Sequence, residues 1–558
     1  MKNFKSLLIV LSLIMLFSCS KEDCVDADLV LINANIYTGD ESRPKASSIG
    51  IKGKNIAFLS SDTSFKKNCG STKVIDLSQS TVFPGFSDAH AHLKGIGYRE
   101  MTLNLQGINS LEDTLGAIKK YVESKNNGDW VVGRGWIEKV WPEKRFPNKH
   151  DLDKFSPNNP VVIERADGHA VVANSLALQL AGIKSDSVNP QGGFIEKDEE
   201  GNPTGLLVDK ATYLVERLIP KNSKEKDKEA FLKGLKRYAS LGWTQIHVPG
   251  GDYRDIELLK EIKQEGNLIQ RIYFMVSDGK PAIRLLEEGP TIDADHFLTI
   301  RSIKMYADGA LGSRGAALID KYKDYEGKGV LIFLEEETIP KLEKALEVGI
   351  QIGTHAIGDL GNQVTLDWYQ RAFETISEDQ RAISSPRWRI EHSQIITPED
   401  QNRFFKLGVI PSMQPSHAIG DLHFAVDRLG MERINNAYAW RDLIDKGLII
   451  AGGSDAPVEI GDPRIEFYAA TSRKDLTGFH EDGWNLDQKV TREEALKMFT
   501  IWPAIAAFEE DIRGTLEVGK LADITVFNKD LMTIPEEEIM SAKNILTILD
   551  GKIIYQDL

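Results

Sequence analysis

Side chains of the types that bind metals or transfer protons stand at the ends of five separate apolar, strand-like segments of this chain. The set is His90, His92, Lys304, His355, His392 and Asp455. Residues i and i+2 of a strand share one face, so His90 and His92 are expected to converge. In a parallel barrel the carboxyl-terminal ends of the strands meet at one mouth, where barrel proteins place their chemistry. The pattern therefore predicts a metal site at the mouth of a barrel.

Strands and helices alternate through the middle of the chain, as they do in successive βαβ units. Eight apolar segments are predicted as strands, which is the number that closes a barrel. They are 81–86, 243–248, 271–276, 300–305, 349–354, 387–391, 408–412 and 447–452. The count requires residues 93–222 to be an insertion after the first strand, which we interpret as a lid over the mouth. The predicted fold is thus an α/β, TIM-type (β/α)8 barrel spanning residues 81–509.

Both ends of the chain carry short β-rich runs that are separated by Gly, Asn and Asp residues. The runs are 28–37, 48–52, 55–59 and 73–76 before the barrel, and 522–527, 545–549 and 552–555 after it. Two β-rich ends around an α/β middle predict one small β-sandwich domain. It is expected to combine residues 25–80 with residues 510–558.

The first residues have the form of an export signal. Lys2 and Lys5 precede an apolar run from Leu7 to Phe17, which is shorter than the about 20 residues of a membrane span. The run ends in Leu-Phe-Ser-Cys19, which resembles the lipobox of bacterial lipoproteins; an ordinary signal peptide is the alternative. We expect residues 1–19 to act as a lipoprotein signal peptide with Cys19 as the lipidated residue. The protein would then be anchored to the bacterial cell envelope, on its periplasmic or its surface face.

Two further cysteines, Cys24 and Cys69, both fall in the predicted sandwich. In an oxidising compartment they can form a disulfide, and the alternative is two independent thiols. The formal net charge of −15 argues against a nucleic-acid partner, because such partners require clustered Lys and Arg. Contact with a membrane is expected only through the lipid anchor.

Several segments resemble motifs of the amidohydrolase superfamily. Residues 84–92 (Pro-Gly-Phe-Ser-Asp-Ala-His-Ala-His) resemble its first-strand metal motif, 453–455 its eighth-strand aspartate, and 514–523 its C-terminal sandwich signature. Residues 304–314, 167–169, 412–415 and 453–458 are similar to the amidohydrolase-3 branch, which includes N-substituted formamide deformylases. The likeness runs from about residue 28 to the C-terminus.

The resemblance implies a metal cofactor. His90 and His92 would bind one ion and His355 and His392 a second, with a carboxylated Lys304 bridging the two. Imidazole and carboxylate ligands suit Zn²⁺ among the common divalent ions, so we expect one or two zinc ions.

The resemblance also implies roles around the metal. Asp455, besides serving as a ligand, would take a proton from the attacking water and pass it to the leaving nitrogen. Asp88 is expected to orient a ligand imidazole. His169, which lies in the insertion, is expected either to contact the carbonyl of the substrate or to have a structural role.

Three functions are compatible with these features. The first is hydrolysis of a C–N bond in a small-molecule amide, formamide or cyclic amide. The second is deamination of a ring amine or hydrolysis of an ester or lactone. The third is a surface lipoprotein that binds a ligand without turnover. Because all six site residues are present, the third is disfavoured.

Overall fold

A barrel of eight parallel strands forms the centre of the molecule. The computed structural model describes residues 26–61, 72–138, 141–165, 170–190, 193–220, 223–332, 335–478 and 483–558. In chain order, which is also their order in the sheet, the barrel strands are Phe86–Asp88, Trp243–Pro249, Arg271–Ser277, Leu298–Tyr306, Gln351–Ala356, Arg389–His392, Ile410–Met413 and Ala451–Gly452. The N–H of Ala89 donates to the carbonyl of Gly452 at 3.0 Å, which brings the first and eighth strands together. The predicted (β/α)8 barrel is confirmed.

Helices surround the barrel. The helix Lys224–Leu241 is typical: the side chain of Ser223 caps its start, and Gly242, with a φ of 103°, ends it. Among the described residues, no helix has the length and the apolar character to cross a membrane. The remaining described α-helices are Leu93–Met101, Leu111–Val122, Lys149–Asp153, Ser175–Leu180, Tyr213–Glu216, Tyr253–Gln264, Lys280–Glu288, Glu335–Val348, Asp359–Thr375, Pro398–Leu407, Pro415–Asp421, Ala425–Leu429, Met431–Ile434, Trp440–Asp445, Pro463–Ser472, Arg492–Met498 and Ile501–Ala506.

The two chain ends combine in a sandwich of two sheets around one apolar core, as predicted. One sheet has the order Asn55–Ser60, Ser48–Lys52, Leu29–Ile32 and Lys73–Asp76. The other has the order Lys552–Gln556, Asn544–Leu549, Ile524–Phe527, Thr81–Pro84, Asn35–Tyr37 and Lys45–Ala46. The second sheet therefore contains strands from both ends of the chain.

The first barrel strand begins later than predicted. Thr81–Pro84 pairs with Ile524–Phe527 and belongs to the sandwich, whereas the barrel strand starts at Phe86. Gly85 separates the two, and a Cβ at this position would lie 2.4 Å from Oγ1 of Thr244. A glycine is needed there because the chain passes from one sheet to the other against a neighbouring strand.

The insertion contains a separate six-stranded sheet. Its order is Gly193–Lys197, Pro203–Asp209, Ala170–Ala173, Val161–Arg165, Val131–Trp136 and Leu103–Asn104. The predicted insertion included the helix Leu93–Met101, but this helix packs against Lys224–Leu241. The two helices are so close that a Cβ at Gly97 would lie 1.7 Å from the carbonyl oxygen of Ala230. A cavity of about 270 Å³ lies between this helix, the insertion sheet and Pro457. The insertion therefore lies beside the segment that follows Asp455.

Candidate metal centre

The six predicted residues lie at or just beyond the ends of the barrel strands. Lys304, His355 and His392 are in the fourth, fifth and sixth strands. His90 and His92 follow the first strand, and Asp455 follows the eighth. His392 and Asp455 have φ values of 74° and 57°, in the left-handed region, where strained residues cluster at functional sites.

Three of these residues form a compact group. One donor atom from each of His90, His392 and Asp455 lies within 4.8 Å of the other two, and all three residues are buried. The ring centroids of His90 and His392 are 4.8 Å apart, and Nε2 of His90 is 3.6 Å from Oδ1 of Asp455. Two imidazoles and a carboxylate at this spacing are a donor set that suits a divalent transition metal.

His92 and Lys304 border this group. Nε2 of His92 is 3.1 Å from Oδ1 of Asp455, and its side chain, 36% exposed, marks the side of the site that faces solvent. Nζ of Lys304 is 3.3 Å from Nε2 of His90, and Lys304 is buried. Lys304 therefore lies where a carboxylated side chain could reach the same ion as His90, and its carboxylation stays a prediction.

His355 completes the cluster. Its ring centroid is 4.5 Å from that of His392, and its Nε2 lies 3.5 Å from the carbonyl oxygen of Gly309 and 3.6 Å from Oδ1 of Asp308. The structure thus brings all six predicted residues together, and their roles as ligands stay a prediction. The compact group joins His90 to His392, whereas the predicted pairs were His90 with His92 and His355 with His392.

Burial controls the charges of the site. Burial, together with the charge of Lys304, lowers the pKa of His90 to about 4 and that of His355 to about 3. Burial lowers the pKa of Lys304 to about 8. Burial opposes the ionisation of Asp455, but the adjacent His92 and the other imidazoles outweigh it and hold the pKa of this carboxyl well below its usual range. At pH 7 the site therefore offers the neutral imidazoles of His90 and His355 and the ionised carboxylate of Asp455, the states that metal binding requires.

The residues present fit a bound divalent cation. Among the described residues, no group makes a hydrogen bond of good geometry to the buried Oδ1 of Asp455, although Nε2 of His92 lies 3.1 Å away. Buried polar atoms without partners are rare in folded proteins, and an ion or an ordered water commonly explains them. An ion among His90, His392 and Asp455 would satisfy this oxygen.

Glu391 holds His90 in place, and the sequence reasoning did not identify it. Oε2 of Glu391 lies 2.5 Å from Nδ1 of His90, and both residues are buried. This contact favours the tautomer with its proton on Nδ1, which leaves Nε2 free for a metal. Nε–H of Arg389 donates to Oε1 of Glu391 at 2.7 Å, and Gly353 leaves room for the carboxylate. The signal in the sequence was an acidic residue directly before the histidine at a strand end.

Asp88 contacts His90 through the backbone, and its role in orienting a ligand imidazole stays a prediction. Among the described residues, no imidazole donates a hydrogen bond to its carboxylate, whose Oδ1 accepts from the N–H groups of His90 and Ser454 at 3.1 and 2.9 Å. Oδ2 accepts from the hydroxyls of Ser454 and Tyr238 at 2.6 and 3.1 Å. Burial raises the pKa of Asp88 to about 6. Asp88 therefore connects the ends of the first and eighth strands and holds the backbone of His90.

Four other predicted residues lie outside the described part of the chain. They are Cys19, Cys24, Cys69 and His169. The lipidation, the disulfide and the contact with a substrate carbonyl therefore stay predictions.

Solved structures share this architecture. A metal-dependent hydrolase of Pyrococcus horikoshii OT3 superposes with a TM-score of 0.72 and 26% identity, covering 91% of this chain and 99% of that one. A metal-dependent hydrolase of Pyrococcus furiosus gives a TM-score of 0.70 and 26% identity, covering 90% of this chain and all of that one (100%). Both are uncharacterized proteins.

Sequence comparison extends the likeness over nearly the whole chain. YtcJ of Bacillus subtilis is 31% identical over 534 residues, which cover 93% of this chain and 98% of that protein. The N-substituted formamide deformylase of Arthrobacter pascens is 27% identical over 546 residues, which cover 95% of this chain and 98% of the enzyme. The model of the Amidohydrolase family (Amidohydro_3) matches residues 73–555. The chain therefore belongs to the amidohydrolase family, in its amidohydrolase-3 branch.

Proposed function

We propose that this protein is a metal-dependent hydrolase that cleaves the C–N bond of a small-molecule amide, formamide or cyclic amide. The observation that carries the proposal is the buried group of His90, His392 and Asp455, whose donor atoms lie within 4.8 Å of one another. Its position at the barrel mouth, with His92 partly exposed beside it, gives a substrate access to the group. The likeness to the Arthrobacter deformylase supports a formamide or a related amide as the substrate.

The side chains around the site have distinct tasks in this reaction. His90, His392 and Asp455, with His92, His355 and Lys304 around them, would hold the metal. When bound, a divalent ion lowers the pKa of a water toward about 7 and polarises the carbonyl of the substrate. Glu391 keeps the ring of His90 in one orientation through the contact at 2.5 Å.

Asp455 handles the proton. As water adds to the carbonyl carbon, the ionised carboxylate of Asp455 accepts a proton, and it then donates that proton to the leaving nitrogen. The C–N bond breaks, and the products are a carboxylic acid and an amine. Asp455 is ionised at neutral pH, which is the state that can accept this proton.

Metal analysis and a substrate screen test this proposal. The purified protein is expected to contain one or two equivalents of zinc and to hydrolyse members of a panel of N-formyl and N-acyl amines. His90→Ala should lose metal and turnover together, because it removes one of the three closest donors, while its circular dichroism stays that of the wild type. Turnover of ring amines or lactones, but of no amide, would instead support the deaminase or ester and lactone alternative. Binding without any turnover would contradict an enzymatic function.

We also propose that the protein is exported and lipidated at Cys19. The sequence Leu-Phe-Ser-Cys19 after an apolar run supports this assignment. Cells labelled with a palmitate analogue should yield labelled wild-type protein and unlabelled Cys19→Ala. Cys24→Ala should keep its label, because it lies beyond the lipobox. Equal labelling of the Cys19→Ala variant would contradict lipidation at this residue.

A further inference from the structure

A second group of polar side chains lies next to Asp455, and the mechanism above does not use it. Oδ1 of Asp455 faces the metal-binding histidines, whereas Oδ2 lies 3.6 Å from Nε2 of His417. The same nitrogen is 3.9 Å from Oε1 of Glu459. His417 belongs to the helix Pro415–Asp421, which follows the seventh strand, and its ring is stacked 5.8 Å from that of His392. This group therefore shares the mouth of the barrel with the metal centre.

The position of His417 points to a ligand. The residue is 8% exposed, and among the described residues its buried Nε2 has no hydrogen-bond partner. This nitrogen lies 3.6 Å from Oδ2 of Asp455 and 3.9 Å from Oε1 of Glu459, distances longer than hydrogen bonds, and we call the space bordered by these three groups the gap. Since buried polar atoms are nearly always satisfied, a group that enters this gap is expected to interact with all three side chains.

The charge around the gap is negative. Asp421, at the end of the same helix, accepts hydrogen bonds from Tyr438 and from Gln394, both neutral side chains. In the part of the chain that the structure describes, neither Asp421 nor Glu459 has an ion pair with Lys or Arg. Burial raises the pKa of both carboxyls against an opposing effect of His417, and for Glu459 the negative charges of Asp421 and Asp455 raise it further. A cation in the gap would relieve this repulsion.

We propose that His417 and Glu459 form a subsite for a positively charged group, such as an ammonium, on the nitrogen side of the substrate. This inference rests on the proposed function, in which Asp455 passes a proton to the leaving nitrogen. The leaving nitrogen must then lie close to Asp455, so the substituent on that nitrogen extends towards His417 and Glu459. Glu459, whose side chain is 27% exposed, stands on the solvent side of the subsite. The preferred substrates are therefore acylated diamines or similar cationic amides, rather than amides with an apolar amine.

Two hydrolysis-resistant ligands test the subsite separately from turnover. N-(3-aminopropyl)methanesulfonamide carries an ammonium group where N-butylmethanesulfonamide carries a methyl group, and the two are otherwise of the same shape. Calorimetry of the zinc-loaded protein should give a dissociation constant about tenfold lower for the ammonium ligand, as for one charge-assisted hydrogen bond. In Glu459→Gln this preference should be lost. Glu432→Gln, a change at an exposed glutamate of the helix Met431–Ile434, should keep it.

The possible outcomes are distinct. Equal binding of the two ligands by the wild type, or a tenfold preference that persists in Glu459→Gln, would overturn the subsite. A failure of the proposed function would give a different result. The protein would then hydrolyse no amide in the screen but would still prefer the ammonium ligand.

Discussion

Asp455→Asn is expected to retain its zinc and to lower kcat on an amide substrate by about 10²–10⁴-fold, the usual contribution of a positioned acid–base group. Asparagine keeps an oxygen at the position that faces His90 but cannot accept a proton from water at neutral pH. Its backbone tolerates the φ of 57° at this position, so the fold should be preserved. KM for an amide of an apolar amine should change little, because such a substrate places no charged group beside Asp455 and the substitution then removes only proton transfer.

Asp550→Asn is the matched control for this substitution. Asp550 has a φ of 53° and precedes Gly551 in the sandwich, where its carboxylate accepts from Arg271. This variant has the same chemical change at the same backbone conformation, and it should keep full turnover. Steady-state kinetics and zinc content of both variants give the result. A near-normal rate for Asp455→Asn would mean that another group transfers the proton, and the deaminase or lactonase reading would gain support.

The barrel could be predicted because its strands are buried on both faces. Such strands read as continuous apolar runs, as in residues 272–276 (Ile-Tyr-Phe-Met-Val) of the third strand, all of which are buried. The error at the first strand has a local cause. Residues 81–86 read as one mainly apolar run, Thr-Val-Phe-Pro-Gly-Phe, so nothing in the composition shows that Phe86 belongs to a different sheet from Thr81–Pro84.

The location of the site could be predicted, because it depends only on where each residue lies along its strand. Parallel strands bring their carboxyl ends together, so a residue at each end was sufficient to place His355, His392 and Asp455 in one mouth. The hydrogen-bond partners of these residues could not be predicted in the same way. They depend on the direction of each side chain, which the alternation of side chains along a strand does not indicate. Asp88 follows the alternation of the strand, yet its carboxylate accepts a hydrogen bond from Ser454, which lies just beyond the eighth strand.

Glu391 was missed for a related reason. It precedes a histidine whose φ of 74° turns the backbone away from regular strand geometry, so adjacent side chains reach the same site. Glu391 also belongs to a buried polar chain: NH1 of Arg389 lies 2.8 Å from Nδ1 of His247, and Nε2 of His247 lies 3.1 Å from Oε1 of Gln245. Such buried networks fix side-chain positions when every member is satisfied.

Glu391→Gln is expected to weaken zinc binding by about 10–100-fold, the typical effect of losing the partner of a metal-binding histidine. The amide still reaches Nδ1 of His90 but no longer offers a charge, and the buried Arg389 loses the carboxylate that compensates it. Breaking a buried ion pair in this way should lower the free energy of unfolding by about 3 kcal/mol. Competition with a zinc chelator measures the first effect, and urea unfolding of the metal-free protein measures the second without any contribution from bound metal.

Glu510→Gln provides the comparison, because Glu510 pairs with Arg387 at 2.6 Å in an ion pair whose side chains are 25% and 28% exposed. Solvent screens this pair, so its loss should cost at most about 1 kcal/mol and leave zinc affinity unchanged. If Glu391→Gln bound zinc as tightly as Glu510→Gln, His90 would have to be oriented by the packing of the barrel alone. If Glu391→Gln lost stability but kept its zinc affinity, Glu391 would act only as the ion-pair partner of Arg389 and would not orient His90. A loss of both is expected, because the two oxygens of this one carboxylate contact His90 and Arg389 separately.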